Sequence, residues 1–91
     1  MYDRLFVPLS VAGKVTLRNR LVMAPMTTVS GEPDGSFSKE EISYLTKRAE
    51  DGLGLIMTPA CYCHKSGHAF ERQVGCHSDA MLDSLSRCAD A

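Results

Sequence analysis

No stretch of these 91 residues is apolar for long enough to span a bilayer. No charge of one sign dominates either: ten Lys plus Arg face eleven Asp plus Glu, for a net charge of −1. That balance removes the electrostatic reason to expect nucleic acid or an anionic membrane as partner. The opening Met-Tyr-Asp-Arg-Leu-Phe lacks the charged-then-apolar layout of an export signal. The four cysteines, Cys61, Cys63, Cys76 and Cys88, are therefore expected as reduced thiols in the cytoplasm, not as a disulfide framework. A terminal Cys-Ala-Asp-Ala is no prenylation signal, because Asp90 stands where an aliphatic residue is needed. With 44% hydrophobic and 23% charged residues, the chain has an ordinary folded composition. A globule of this size can bury only about two-thirds of its unfolded surface.

What is present is an internal echo. Leu21-Val22-Met23-Ala24-Pro25 returns as Leu55-Ile56-Met57-Thr58-Pro59. Each is a short apolar run closed by a small residue and a proline. Runs of this kind suit strands of a parallel sheet that are buried on both faces. The proline ends the run because it cannot donate to a ladder. Between the two lies a helix signal. Ser38 and Glu41 have the spacing of a capping box, Ile42, Leu45 and Ala49 form one apolar stripe, and Gly52 is the stop. A second helix begins after Ser78, with Met81, Leu82, Leu85, Cys88 and Ala89 as its stripe. Upstream, Leu9 and Val11 face Val15 and Leu17 across Ala12-Gly13-Lys14, as in a β-hairpin. Asn19-Arg20 is expected to tie that hairpin to the rest, and Asp34-Gly35 marks a turn.

The order hairpin, strand, helix, strand, helix defines an α/β chain with βαβ crossovers. Two parallel strands leave unpaired edges and an uncovered face. The expectation is an N-terminal β-hairpin plus the first two β/α units of an incomplete (β/α)8 barrel, a fold that takes about 250 residues. Residues 1–91 would be the N-terminal part of such a domain.

The segments Leu5-Phe6-Val7-Pro8-Leu9 and Thr16-Leu17-Arg18-Asn19-Arg20-Leu21-Val22-Met23-Ala24-Pro25-Met26-Thr27 resemble the start of the Old Yellow Enzyme family of NADH:flavin oxidoreductases. That family includes ene-reductases and dienoyl-CoA reductase-like enzymes. The resemblance continues through Gly54-Leu55-Ile56 with Ala60, and through Gly75 with Ser78-Asp79. It implies an FMN-binding (β/α)8 barrel that moves hydride from NAD(P)H through FMN to a small molecule with an activated double bond, such as an enone or enoyl thioester. By the same resemblance Ala24, Pro25, Met26 and Thr27 lie against the flavin ring, and the Thr27 hydroxyl donates to flavin O4. Ala60 sits beside the ring edge. Thr28, one position on, is expected to matter much less. Some relatives carry Cys at the Thr27 position and an aromatic where this chain has Val29, so no redox-tuning thiol or active-site tyrosine is carried over. The family's catalytic and substrate-binding residues fall beyond residue 91, and 91 residues alone are expected to be inactive. The oligomeric state stays open.

Two alternatives compete. Cys61, Cys63, His64, His68, Cys76 and His77 put six potential zinc ligands within 17 positions, as in a small metal-binding or interaction module. The spacing argues against it, since Cys-x-Cys lacks the usual gap and no second paired knuckle follows. No metal site is assigned. The other alternative is a different FMN barrel, of the dihydroorotate dehydrogenase kind.

Overall fold

The computed structural model describes residues 2–91. After a short 3-10 turn at Asp3–Phe6, strands β1 (Leu9–Val11) and β2 (Val15–Leu17) pair antiparallel, with Leu9 opposite Leu17. Their connecting turn places Ala12 and Gly13 in the left-handed region, at φ 53° and 66°. This is the hand that suits the twist of a tight hairpin.

β3 (Val22–Met23) and β4 (Leu55–Ile56) then pair parallel, Val22 beside Leu55 and Met23 beside Ile56. Helix α1 (Lys39–Glu50) makes the crossover between them, and α2 (Leu82–Asp90) packs beside it. The two strands are each two residues long and are not buried on both faces. Met23 and Ile56 turn towards the helices and pack on a core of Phe37, Leu45 and Val74. Val22, Leu55 and Met57 lie on the opposite face, exposed. Residues two apart on a strand share a face, so one layer of helices can cover only half of each run. Met57 is therefore no core residue here.

α1 starts at Ser38, whose hydroxyl accepts the Glu41 amide at 3.0 Å. The reciprocal half of a capping box is not made. Glu41 instead sends its carboxylate to two hydroxyls of the loop after β3. The helix stops where expected: the Gly52 amide donates to the Ala49 carbonyl, and Gly52 has φ 111°. In α2, Met81 and Ser84 are buried and Leu85 and Cys88 half-buried, whereas Leu82 and Ala89 are exposed. The inward side follows the spacing 81, 85, 88, and Leu82 falls about 100° round from Met81.

The lower ends of β3 and β4 are joined through Asn19. Its side-chain amide donates to the Gly52 carbonyl at 2.6 Å, and its Oδ1 accepts the Leu21 amide at 3.0 Å. The Gly54 amide in turn donates to the Leu21 carbonyl at 3.0 Å. A Cβ on Gly54 would lie 2.4 Å from the Asn19 carbonyl oxygen, so only glycine admits this approach. Beside it the Arg18 guanidinium donates to the carbonyls of Ala49 and Leu53 at the end of α1. A cation there complements the helix dipole. The expectation for Asn19 holds, but its partner in the tie is Arg18. Arg20 contributes only its backbone, donating to the Leu5 carbonyl at 2.8 Å.

Asn19 is buried, and replacing it with Ala strands the Gly52 carbonyl and the Leu21 amide. Each buried polar group left unpaired costs about 1–3 kcal/mol. Asn19→Ala should lower stability by at least that amount, read as a shift of the urea midpoint. A change under about 0.5 kcal/mol, the range of surface substitutions, would show that the tie carries no weight.

Candidate functional site

Because β3 and β4 run parallel, their C-terminal ends open at the same side of the pair. The Met57 amide donates to the Met23 carbonyl at 3.2 Å, which brings the two exits level. Ala24, Pro25, Met26 and Thr27 leave β3 there, and Ala60 follows β4; all five are exposed. Met26 is 59% exposed, a large apolar side chain without cover. The Thr27 side chain makes no hydrogen bond to any described residue.

Its neighbours differ. The hydroxyls of Thr28 and Ser30 both donate to Oε2 of Glu41, which is completely buried. The Ser38 hydroxyl donates to the Ser30 carbonyl. Gly31 is held twice by Arg72, its amide donating to the Arg72 carbonyl at 3.0 Å and its carbonyl accepting from Arg72 Nε at 2.8 Å. On the β4 side, buried Gln73 donates its side-chain amide to the Ala60 carbonyl at 3.2 Å and accepts the Ala69 amide at 2.8 Å. Each exit thus has an uncovered stretch pinned from behind by a buried polar side chain.

Sequence reasoning missed both pins. The Ser38/Glu41 spacing pointed to Glu41 but assigned its carboxylate to the helix end. Gln73 and Arg72 lie in an irregular segment with no periodic signal. Phe37 and Val74 escaped for the same reason, although they are among the most buried residues.

The cysteine and histidine segment is organised around an aromatic ring. Tyr62 stacks on His77 with centroids 4.7 Å apart and meets His68 at 4.9 Å. Its hydroxyl lies where a Cβ on Gly35 would be, 2.3 Å from that position, and Gly35 has φ 94°. Beside it, Ser36 donates two hydrogen bonds to Asp34, which hold that carboxyl below its usual range. His64 pairs with Ser66 at 2.8 Å. Among the described residues no three His, Cys, Asp or Glu side chains converge as metal ligands. All four cysteines are unpaired.

A crossover helix joining two parallel strands, with both strand exits open at one end, defines the ligand-bearing edge of an α/β fold. The chain matches the NADH:flavin oxidoreductase / NADH oxidase family over residues 4–91 and belongs to it. FMN is the cofactor of this family and reduced nicotinamide its reductant. The chain is similar to an NADH:fumarate oxidoreductase of Klebsiella pneumoniae, 34% identical over 98% of this chain and 10% of the relative. Among solved structures it resembles a 2-naphthoyl-CoA reductase in complex with 2-naphthoyl-CoA, with a TM-score of 0.91 and 28% identity over 99% of this chain and 14% of the other. It also resembles an Old Yellow Enzyme from Pichia sp. AKU4542, with a TM-score of 0.87 and 28% identity over 96% and 22%. The chain spans about a quarter or less of the length of the curated relatives it matches.

Burial pushes the thiols of Cys61 and Cys88 above their ordinary value of 9.0. Cys63 and Cys76 are exposed. Only the thiolate is nucleophilic, so a raised pKa slows alkylation at neutral pH. A short pulse of iodoacetamide on the folded protein should label Cys63 and Cys76 first, by peptide mass spectrometry, with Cys61 and Cys88 lagging. The lag should shrink as the pH is raised. Equal labelling at neutral pH would show that the two inner thiols are not shielded.

Proposed function

We propose that this chain builds one side of a flavin site in an enzyme that reduces an activated carbon–carbon double bond with electrons from NAD(P)H. The observation that carries this reading is the Thr27 hydroxyl, exposed and unbonded beside uncovered Met26, while the residues just after it are fastened down. A flat, partly polar ring fits such a surface: it covers Met26 and Pro25 and offers an acceptor to Thr27.

Residues 1–91 then form the N-terminal part of an FMN-binding (β/α)8 barrel domain, a hairpin followed by the first two β/α units. The uncovered face of Val22, Leu55 and Met57 and the unpaired outer edges of β3 and β4 support this. In such barrels ligands sit at the C-terminal ends of the strands, which is where the five residues lie. Ala24, Pro25 and Met26 give the ring an apolar rest. Ala60, with no side chain beyond Cβ and its carbonyl held by Gln73, lets the ring edge approach the backbone. Thr27 donates towards flavin O4, where negative charge gathers on reduction. A donor already aimed at that charge favours the reduced state without reorganisation.

FMN, when bound, takes hydride from reduced nicotinamide and delivers it to an electron-poor carbon. The fumarate relative and the 2-naphthoyl-CoA reductase both bear names of conjugated acids or thioesters, which supports an enone or enoyl thioester as substrate class. The groups that bind that substrate and protonate it belong to the rest of such a barrel. A cytoplasmic setting accords with this chemistry.

The test is Thr27→Ala in the complete enzyme. Hydrogen bonds to charged groups contribute about 1.5–3 kcal/mol, and some fraction of that distinguishes the two redox states. For a two-electron couple about 1.4 kcal/mol corresponds to roughly 30 mV. The flavin potential should fall by some tens of millivolts by that conversion, and reduction by nicotinamide should slow. An unchanged potential with FMN fully bound would reduce Thr27 to a turn residue. The 91 residues by themselves should not retain FMN through gel filtration, since the phosphate site lies on other strands of a barrel. Stoichiometric yellow protein from this piece would contradict the barrel reading.

A further inference from the structure

The loop after β3 contains a backbone conformation that its residue does not favour. Val29 has φ 53°, in the left-handed region, and carries a β-branched side chain. Such a residue is an outlier there and persists only where its surroundings hold it. Val29 is itself 52% exposed, so packing of its side chain does not supply the hold.

The hold comes from the residues on either side. Thr28 and Ser30 donate their hydroxyls to the same carboxylate oxygen, Oε2 of Glu41. Two donors flanking one left-handed residue and meeting at one acceptor fix the turn between them. The Ser38 hydroxyl on the Ser30 carbonyl and Arg72 on Gly31 keep the far side in place. Glu41 itself is fully buried, and its Oε1 has no hydrogen-bond partner among the described residues. A buried carboxylate without a paired cation is expensive to keep. Capping does not explain it: the Ser38 hydroxyl already caps α1, and Glu41 does not complete the box.

We infer that Glu41 is a positioning residue: through Thr28 and Ser30 it fixes the left-handed turn at Val29 and so sets the direction in which Thr27 faces the cofactor. This rests on the flavin reading of Thr27 given above. Thr27 has no bond of its own to orient it, and the nearest fixed point along the chain is the Thr28 hydroxyl. Thr28 therefore matters more than its sequence position suggested. It acts behind the site, and Thr27 acts within it.

The experiment uses the complete flavoprotein and compares Thr28→Ala/Ser30→Ala, Glu41→Ala, Glu41→Gln and Thr27→Ala. The double variant removes two hydroxyls and one methyl from the loop and changes no residue of α1 or the core. The single variants Thr28→Ala and Ser30→Ala, which each leave Glu41 one donor, keep the comparison informative if it or Glu41→Ala fails to fold. Hydrogen exchange of the amides of residues 27–31, measured on flavin-stripped protein, should quicken at least tenfold in the double variant and in Glu41→Ala, as expected for a turn that opens locally. With FMN restored, flavin reduction should slow by roughly ten- to a hundredfold, the order seen when a reacting group is slightly misplaced. The KM for nicotinamide should stay within about twofold, because uniform binding is untouched. Glu41→Gln keeps a carbonyl oxygen for both hydroxyls and should recover most of the loss seen in Glu41→Ala.

Wild-type exchange and reduction rates in Thr28→Ala/Ser30→Ala, with Thr27→Ala still shifting the potential, would overturn the positioning role and leave the flavin reading standing. A silent Thr27→Ala with FMN bound would remove the flavin reading, and the role of Glu41 with it. Loss in Glu41→Gln as large as in Glu41→Ala, with the double variant silent, would assign Glu41 another task and also overturn it.

Discussion

The register of one short parallel pair governs the rest of this structure. Val22 meets Leu55 because Asn19, Gly54 and Leu21 lock together below them, and nothing longer than two residues follows to correct a slip. A shift of one residue would turn one strand over relative to the other, taking either Met23 or Ile56 away from the core of Phe37, Leu45 and Val74. It would also break the bond from the Met57 amide to the Met23 carbonyl that brings the two exits level. The open end is therefore set from the closed end, through a buried amide and a glycine whose missing side chain is what allows the contact.

Much of this was legible. The Leu-Val-Met-Ala-Pro and Leu-Ile-Met-Thr-Pro runs located the pair, because a proline after an apolar run stops a strand wherever the run sits. Ser38 and Gly52 bounded α1 because helix ends leave backbone groups that only certain residues satisfy. The hairpin followed from alternation on either side of Ala12-Gly13-Lys14. These signals are local, and local physics decides them.

What stayed hidden depends on groups far apart in the chain. Ser38 and Glu41 spell a capping box, yet two hydroxyls eleven and thirteen positions upstream compete for the carboxylate and win it. Arg72, Gln73 and Val74 come from a segment without period and reach the site only through a fold that brings residue 72 against residue 31. Continuous apolar runs implied burial on both faces, whereas only one face of β3 and β4 is covered and Val22, Leu55 and Met57 stay exposed on the other. The cysteine and histidine segment carried no sign in its sequence that an aromatic ring would organise it. In space, Tyr62 stacks on His77 and meets His68 at a tilt.

The seat of the Tyr62 hydroxyl against Gly35 links two positions 27 residues apart into one unit of variation. Any side chain at position 35 meets the phenol before it meets anything else, and the left-handed backbone there resists one independently. Drift at position 35 is closed while Tyr62 stands. Loss of Tyr62 would open space at Gly35 and also release both histidine rings, so change at this corner proceeds through 62 first and 35 afterwards.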